Sequence, residues 1–114
     1  MKNTFENEVI YISGASAGIG YATAELCLKY GATVVITGRN KDNLDKAKQA
    51  LLKISSKVVA HNVDVSIESE IDDSLEEIYK SFGRVDGLIN NAPSIHTGKI
   101  VDLDLAAWRT NFKA

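Results

Sequence analysis

Cysteine, proline and tryptophan each occur once in these 114 residues, as Cys27, Pro93 and Trp108. A lone cysteine excludes an internal disulfide framework and a clustered thiolate metal site. With no proline before position 93, glycine is the strongest structure breaker over most of the chain. An excess of one charge is also missing. Thirteen Lys and Arg stand against 15 Asp and Glu, a formal net charge of −2, which offers no electrostatic attraction to nucleic acid or to an anionic membrane surface. No apolar run approaches the length needed to span a bilayer. The start, MKNTFENEVI, has one lysine and no long apolar stretch, unlike a secretory signal. Repeats and low-complexity linkers are absent too. A cytoplasmic location is expected.

What is present is ordinary globular composition, 45% hydrophobic and 25% charged, enough for one domain over residues 1–114 with a core of its own. Val9 to Ser13 is a short β-branched run that ends in a glycine-rich turn, the pattern of a buried strand. Ile19, Ala22, Leu26, Cys27 and Tyr30 follow at helical spacing, and Gly31 stops that helix. Thr33 to Thr37 reads as a second strand. Leu44, Ala47 and Leu51 mark one face of a charged second helix. Lys57 to Asn62 contains a third strand. Ile67, Ile71, Leu75, Ile78 and Phe82 outline an amphipathic third helix, with Ser66 as its expected N-cap and Gly83 beyond its end. Val85 to Asn90 is a fourth strand, and Asp102 to Ala114 opens a fourth helix. Alternation of strand and helix with short connections predicts parallel pairing through right-handed crossovers. The fold class is therefore α/β, a Rossmann-like doubly wound sheet of about four strands in the order 3-2-1-4.

The chemistry gathers at the first crossover. Gly14-Ala-Ser-Ala-Gly-Ile-Gly20 joins strand to helix, so bare backbone N–H groups are expected at a helix N-terminus, where unpaired donors and the helix dipole favour a phosphate. Gly14 permits the tight exit from the strand, Gly18 a close approach by a pyrophosphate, and Gly20 close packing of helix on sheet. No Lys-Ser or Lys-Thr follows the glycines, so the turn is not a P-loop.

Read with Ser13, the stretch resembles the TGxxxGIG motif of the short-chain dehydrogenase/reductase family, with Ser in the place where Thr is commoner. Asp64-Val65 is similar to that family's Asp-Val step beside the adenine ring. Asn90-Asn91-Ala92-Pro93 is similar to its Asn-Asn-Ala-Gly, with Pro93 a departure that removes a donor. Trp108 lies in the fourth helix, as the family's Trp often does. The resemblance covers essentially the whole chain. It implies a nicotinamide dinucleotide held by Gly14, Ser16, Ala17, Gly18, Ile19, Gly20, Arg39, Asp64, Val65, Asn90 and Ala92.

The end of the second strand bears on which dinucleotide. An NAD site wants a carboxylate there to accept from the ribose 2′-OH, and that carboxylate would repel a 2′-phosphate. Gly38 stands in that place and Arg39 follows, with a guanidinium suited to phosphate. NADP is expected over NAD, although Ala17 occupies the position where many members carry a second basic residue.

The family also implies a catalytic Asn, Ser, Tyr and Lys, with the Ser and Tyr-x-x-x-Lys belonging to later strand–helix units. No Tyr-x-x-x-Lys occurs in these residues: Ala15, Glu25, Val34 and Gly83 stand four positions after Tyr11, Tyr21, Tyr30 and Tyr79. Asn111 falls one helical turn too early after Trp108 to be the catalytic Asn. His61 and His96 are isolated, and no metal site is expected. The residues read as a cofactor-binding half without its chemical half, C-terminally incomplete and without activity as they stand. Two other readings remain open, a half-enzyme completed by a separate chain and a ligand-free interaction module. Leu88 and Ile89 on an open fourth strand are expected to favour self-association through that edge or through the fourth helix.

Overall fold

The computed structural model describes residues 4–15, 18–64 and 66–90. Seven elements alternate along it: β1 (Val9–Ser13), α1 (Gly18–Lys29), β2 (Thr33–Gly38), α2 (Lys41–Leu52), β3 (Val58–Asn62), α3 (Glu68–Phe82) and β4 (Gly87–Asn90). The expected fourth helix, with Trp108 and Asn111, lies outside the described residues. All strands pair in parallel in the order β3-β2-β1-β4, as the alternation of elements requires.

Both faces of the sheet are covered, and successive side chains of one strand serve opposite layers. Ile10 and Ile12 of β1 pack with Val34, Ile36 and Val58 under Ala24, Cys27 and Leu28 of α1 and Leu44, Ala47 and Leu51 of α2. Val9 and Tyr11 face the other way and pack with Val35, Val63 and Val85 under Ile71, Leu75 and Ile78 of α3. For this reason β1 is buried along its whole length and reads as a continuous apolar run rather than an alternating one. Tyr11 reaches into the α3 layer, where its hydroxyl donates to Ser74 Oγ at 2.7 Å, and His61 Nδ1 meets the same oxygen at 2.7 Å.

Two local expectations are corrected. The buried face of α1 is Gly20, Ala24, Cys27 and Leu28, whereas Ile19 and Leu26 are exposed. Hydropathy favours the larger side chains, but close approach to the sheet selects small ones, so the face turns toward Gly20 and Ala24. Ser66 does not cap α3. The N-cap is Ile67, one residue further on, whose apolar side chain makes no cap bond, and Ser66 turns back to Asp64 instead (below). At the other end Gly83 closes α3 in the left-handed conformation at φ 76°, as its position after Phe82 predicts.

The N-terminal edge of the sheet is fixed by Asp86. Its amide donates to the Val9 carbonyl at 2.8 Å, and its Oδ2 accepts the Val9 amide at 2.8 Å. Arg84 forks onto the same carboxylate, Nε to Oδ2 and NH2 to Oδ1, each at 2.8 Å. Burial pushes the Asp86 carboxyl up, but the Arg84 guanidinium and the Val9 amide together outweigh it and hold the group below the usual carboxylate range. A carboxyl lowered in the folded state stabilises the fold above its unfolded pKa and loses that contribution as the pH falls through its folded value. Asp86→Asn should therefore cost on the order of 1–3 kcal/mol at neutral pH. Urea denaturation across a pH series should show the difference from wild type shrinking below about pH 4.

Candidate functional site

Parallel pairing brings the carboxyl ends of all four strands to one edge. Ser13 of β1 is level with Thr37 of β2 and with Asn90 of β4, and Gly38 of β2 is level with Asn62 of β3. The chain leaves β1 toward β2 on one side and returns in β4 on the other. A crevice at the β1/β4 junction is thus where an open sheet of this kind takes a ligand.

The glycine turn leaves β1 through Gly14 at φ 70° and enters α1 through Gly18 at φ 65°, conformations that side chains with a Cβ rarely adopt. The turn is tied to β2, since the Gly14 and Ala15 amides both donate to the Thr37 carbonyl, at 3.1 and 3.3 Å. These two donors are therefore engaged within the protein. The amides able to meet an anion belong to the first turn of α1, at Gly18, Ile19 and Gly20, which an α-helix leaves without intrahelical partners. A Cβ at Gly18 would meet no atom of the described residues within 4 Å, which leaves room beside that glycine. Gly20 is buried against the sheet. Ser16, Ala17, Val65 and Ala92 lie outside the described residues.

Across the crevice, Ser13 Oγ donates to Asn90 Oδ1 at 2.9 Å. That bond orients the Asn90 amide. Its Nδ2 is buried and has no hydrogen-bond partner among the described residues. A buried donor of this kind calls for an acceptor, and the hydroxyl and phosphate oxygens of a dinucleotide offer many. The room beside Gly18, the helix N-terminus and the Asn90 donor all suit such a ligand.

The outer end of the edge is built by the β2–α2 and β3–α3 turns. Arg39 follows β2, and Asn40 caps α2 by accepting the Asn43 amide at 2.9 Å. Asn62 Nδ2 donates to the carbonyls of Gly38 at 2.7 Å and Arg39 at 3.1 Å. Asp64 Oδ1 accepts from the Ser66 hydroxyl at 2.6 Å and from the Ser66 amide at 3.0 Å, while Glu70 Oε1 accepts the Asp64 amide at 2.8 Å. The Ser66 hydroxyl and amide hold the Asp64 carboxyl low against a smaller opposing effect of burial, and the Arg39 charge adds to the lowering. Arg39 and Asp64, 25 positions apart in the chain, thus act on each other electrostatically at one end of the crevice.

A separate cleft of about 510 Å³ opens between the outer edge of β3 and α3, lined by His61, Glu70, Asp73, Ser74 and Glu77 among others. Its carboxylates would repel a phosphate, so it is no competitor for that ligand.

The sequence profile of the short chain dehydrogenase family matches residues 8–114. This chain belongs to the short-chain dehydrogenase family. It is 36% identical over 105 residues to an uncharacterized oxidoreductase of Staphylococcus epidermidis, which covers 92% of this chain and 44% of that protein. Among solved structures it is similar to a metagenomic short-chain oxidoreductase in complex with NADP, at TM-score 0.73 and 30% identity over 78% of this chain and 40% of that one. It is also similar to 3-ketoacyl-(acyl-carrier-protein) reductase from Brucella melitensis complexed with NADH, at TM-score 0.67 and 33% identity over 75% of this chain and 34% of that one. The chain spans less than half the length of these relatives.

For a member of this dehydrogenase family, the structure gathers Gly14, Gly18, Ile19, Gly20, Arg39, Asp64 and Asn90 along one sheet edge. Sequence reasoning missed two polar residues that shape the edge, Asn62 and Glu70, and read Ser66 only as a helix cap. Only the fold shows that Ser66 and Glu70 both turn back on Asp64. Ser66→Ala should remove the stronger of the two bonds and raise the Asp64 pKa toward an ordinary aspartate value. Side-chain carboxyl NMR titration reads that shift directly, and by the same linkage stability at neutral pH should fall slightly, with the difference from wild type vanishing in acid.

Proposed function

We infer that these residues form the NADP(H)-binding part of a short-chain dehydrogenase/reductase acting on carbonyls or alcohols. The observation that carries the cofactor preference is the end of β2. Gly38 leaves no carboxylate there to repel a 2′-phosphate, and Arg39 supplies a cation in a turn pinned on both sides. The diphosphate lies at the first turn of α1, against Gly18, Ile19 and Gly20, with Gly14 shaping the exit from β1 and Ser16 and Ala17 completing the loop. Asp64 and Val65 border the adenine, and Asn90 and Ala92 approach the ribose on the β4 side. The dinucleotide supplies a hydride donor or acceptor. The protein binds and orients it as one unit in the cytoplasm.

The groups that handle the proton in this family, a Ser and a Tyr-x-x-x-Lys, are not among these 114 residues. A polypeptide of these residues alone is therefore expected to bind cofactor without turnover, and activity requires Ser, Tyr and Lys from further residues of the same or another chain. Calorimetric titration should give tighter binding of NADPH than of NADH. Arg39→Ala should weaken NADPH about tenfold or more, as loss of a charged phosphate contact implies, and leave NADH nearly unchanged. Equal loss for both dinucleotides, or for neither, would remove Arg39 from the 2′-phosphate site.

The same polypeptide should self-associate. Among the described residues β4 pairs only with β1, and its half-buried Leu88 and Ile89 lie at the sheet margin, where an unpaired strand recruits another chain. Sedimentation velocity at rising micromolar concentration should show a growing dimer fraction, and a sharp monomer throughout would contradict it.

A further inference from the structure

We propose that Asn62 is a positioning residue for cofactor selectivity, holding the Arg39 turn in the shape that receives a 2′-phosphate. The inference rests on the NADP(H) reading above and goes beyond it by assigning a second residue, from a different strand, to the discrimination. A β3 residue does not enter the glycine turn or the β2 end, so nothing in the linear sequence links Asn62 to the cofactor.

The link is geometric. Only Arg39 and Asn40 separate β2 from α2. Asn40 is fixed as the α2 N-cap, its side chain accepting the Asn43 amide. On the other side Gly38 ends the β2–β3 ladder, where its carbonyl accepts the Val63 amide at 3.1 Å. Arg39 is thus a single residue between two anchored points, and its own carbonyl is held by Asn62 Nδ2. The same Nδ2 reaches the Gly38 carbonyl, so one side-chain amide bridges consecutive peptide groups and fixes the orientation of the peptide plane that follows Arg39.

The physical consequence is preorganisation. An arginine side chain already loses rotamer freedom when it is ordered, and a loose backbone residue adds a cost of similar size. A backbone held before the ligand arrives removes that second cost from binding. Two residues beyond Asn62, Asp64 carries the carboxylate that feels the Arg39 charge. The end of β3 therefore supplies the donor that holds the Arg39 backbone. A displaced turn would carry the guanidinium away from a 2′-phosphate. The adenosine 2′-OH of NADH makes no such demand on the guanidinium.

The test compares Asn62→Ala, Arg39→Ala and the double variant with wild type in the full chain, using NADPH and NADH as probes in calorimetry. Amide hydrogen exchange is measured on the ligand-free proteins. Asn62 is exposed, and its replacement should leave the fold intact. The expected result is NADPH affinity about three- to tenfold weaker in Asn62→Ala, NADH affinity unchanged, and no further NADPH loss when Asn62→Ala is added to Arg39→Ala. In the absence of ligand, exchange at Val63 and Asn43, whose amides donate to the Gly38 carbonyl and the Asn40 side chain of this turn, should quicken in Asn62→Ala. Equal weakening of both dinucleotides would reduce Asn62 to a structural tie and overturn the proposal. So would additive losses in the double variant, or unchanged exchange at the turn. If wild type itself shows no preference for NADPH, the cofactor reading fails instead. A preference retained in full by Asn62→Ala sinks the Asn62 assignment alone.

Discussion

Everything in the molecule hangs on β1 being paired on both sides and covered on both faces. Its five residues are all buried, its neighbours β2 and β4 run parallel to it, and its side chains serve two different layers. A strand so enclosed has no freedom of register, because a slip of one residue would exchange Tyr11 with Ile10 or Ile12 between a layer that offers Ser74 and one that is purely apolar. The glycine turn inherits that rigidity. It leaves β1 at a fixed place and is tied sideways to the Thr37 carbonyl, so the first turn of α1 presents its amides from a frame that does not move with the loop.

Polar bonds are divided between the two edges of the sheet according to need. At the amino edge, Asp86 and Arg84 lock the start of β4 beside β1 with short charged bonds whose purpose is architectural. At the carboxyl edge the bonds are spread over several loops: Thr37 to the glycine turn, Ser13 to Asn90, Asn62 to the Arg39 turn, Ser66 and Glu70 to Asp64. Each orders a loop through its backbone or through one side-chain atom and leaves another group available. Among the described residues Asn90 keeps an unpartnered amide donor, and the Arg39 guanidinium makes no ion pair. An edge built in this way is ordered before a ligand arrives and still has donors to offer.

The fold was legible to the extent that hydropathy decided it. The β-branched runs of β1 and β2, the stripe of α2 and the middle of the α3 stripe, Ile71, Leu75 and Ile78, lie where their periods place them, while Ile67 and Phe82 at its ends are exposed, and the order 3-2-1-4 follows from alternation. The face of α1 was not legible, because contact distance with the sheet favours Gly20 and Ala24 there over the larger Ile19 and Leu26. Nor was the start of α3, where Ser66 has the chemistry of a cap but the helix begins one residue later, after Ile67, and Ser66 turns back to Asp64. The candidate site was readable at Gly14, Gly18, Gly20 and Arg39, whose meaning is local or motif-bound. Asn62 was not, since its partners lie 23 and 24 positions away and only strand pairing makes them neighbours.

The single cysteine has a use that its chemistry does not suggest. Cys27 is 8% exposed on the sheet-facing side of α1, and burial, helped by the Glu8 charge, pushes its thiol up, so it is a poor nucleophile while the helix lies on the sheet. Alkylation of that sulfur consequently reports how often α1 lifts away, with no other thiol among these 114 residues to confuse the count. Since α1 carries the amides that an anion would meet, a ligand seated there would slow the labelling from a distance, and the chain holds its own gauge of occupancy.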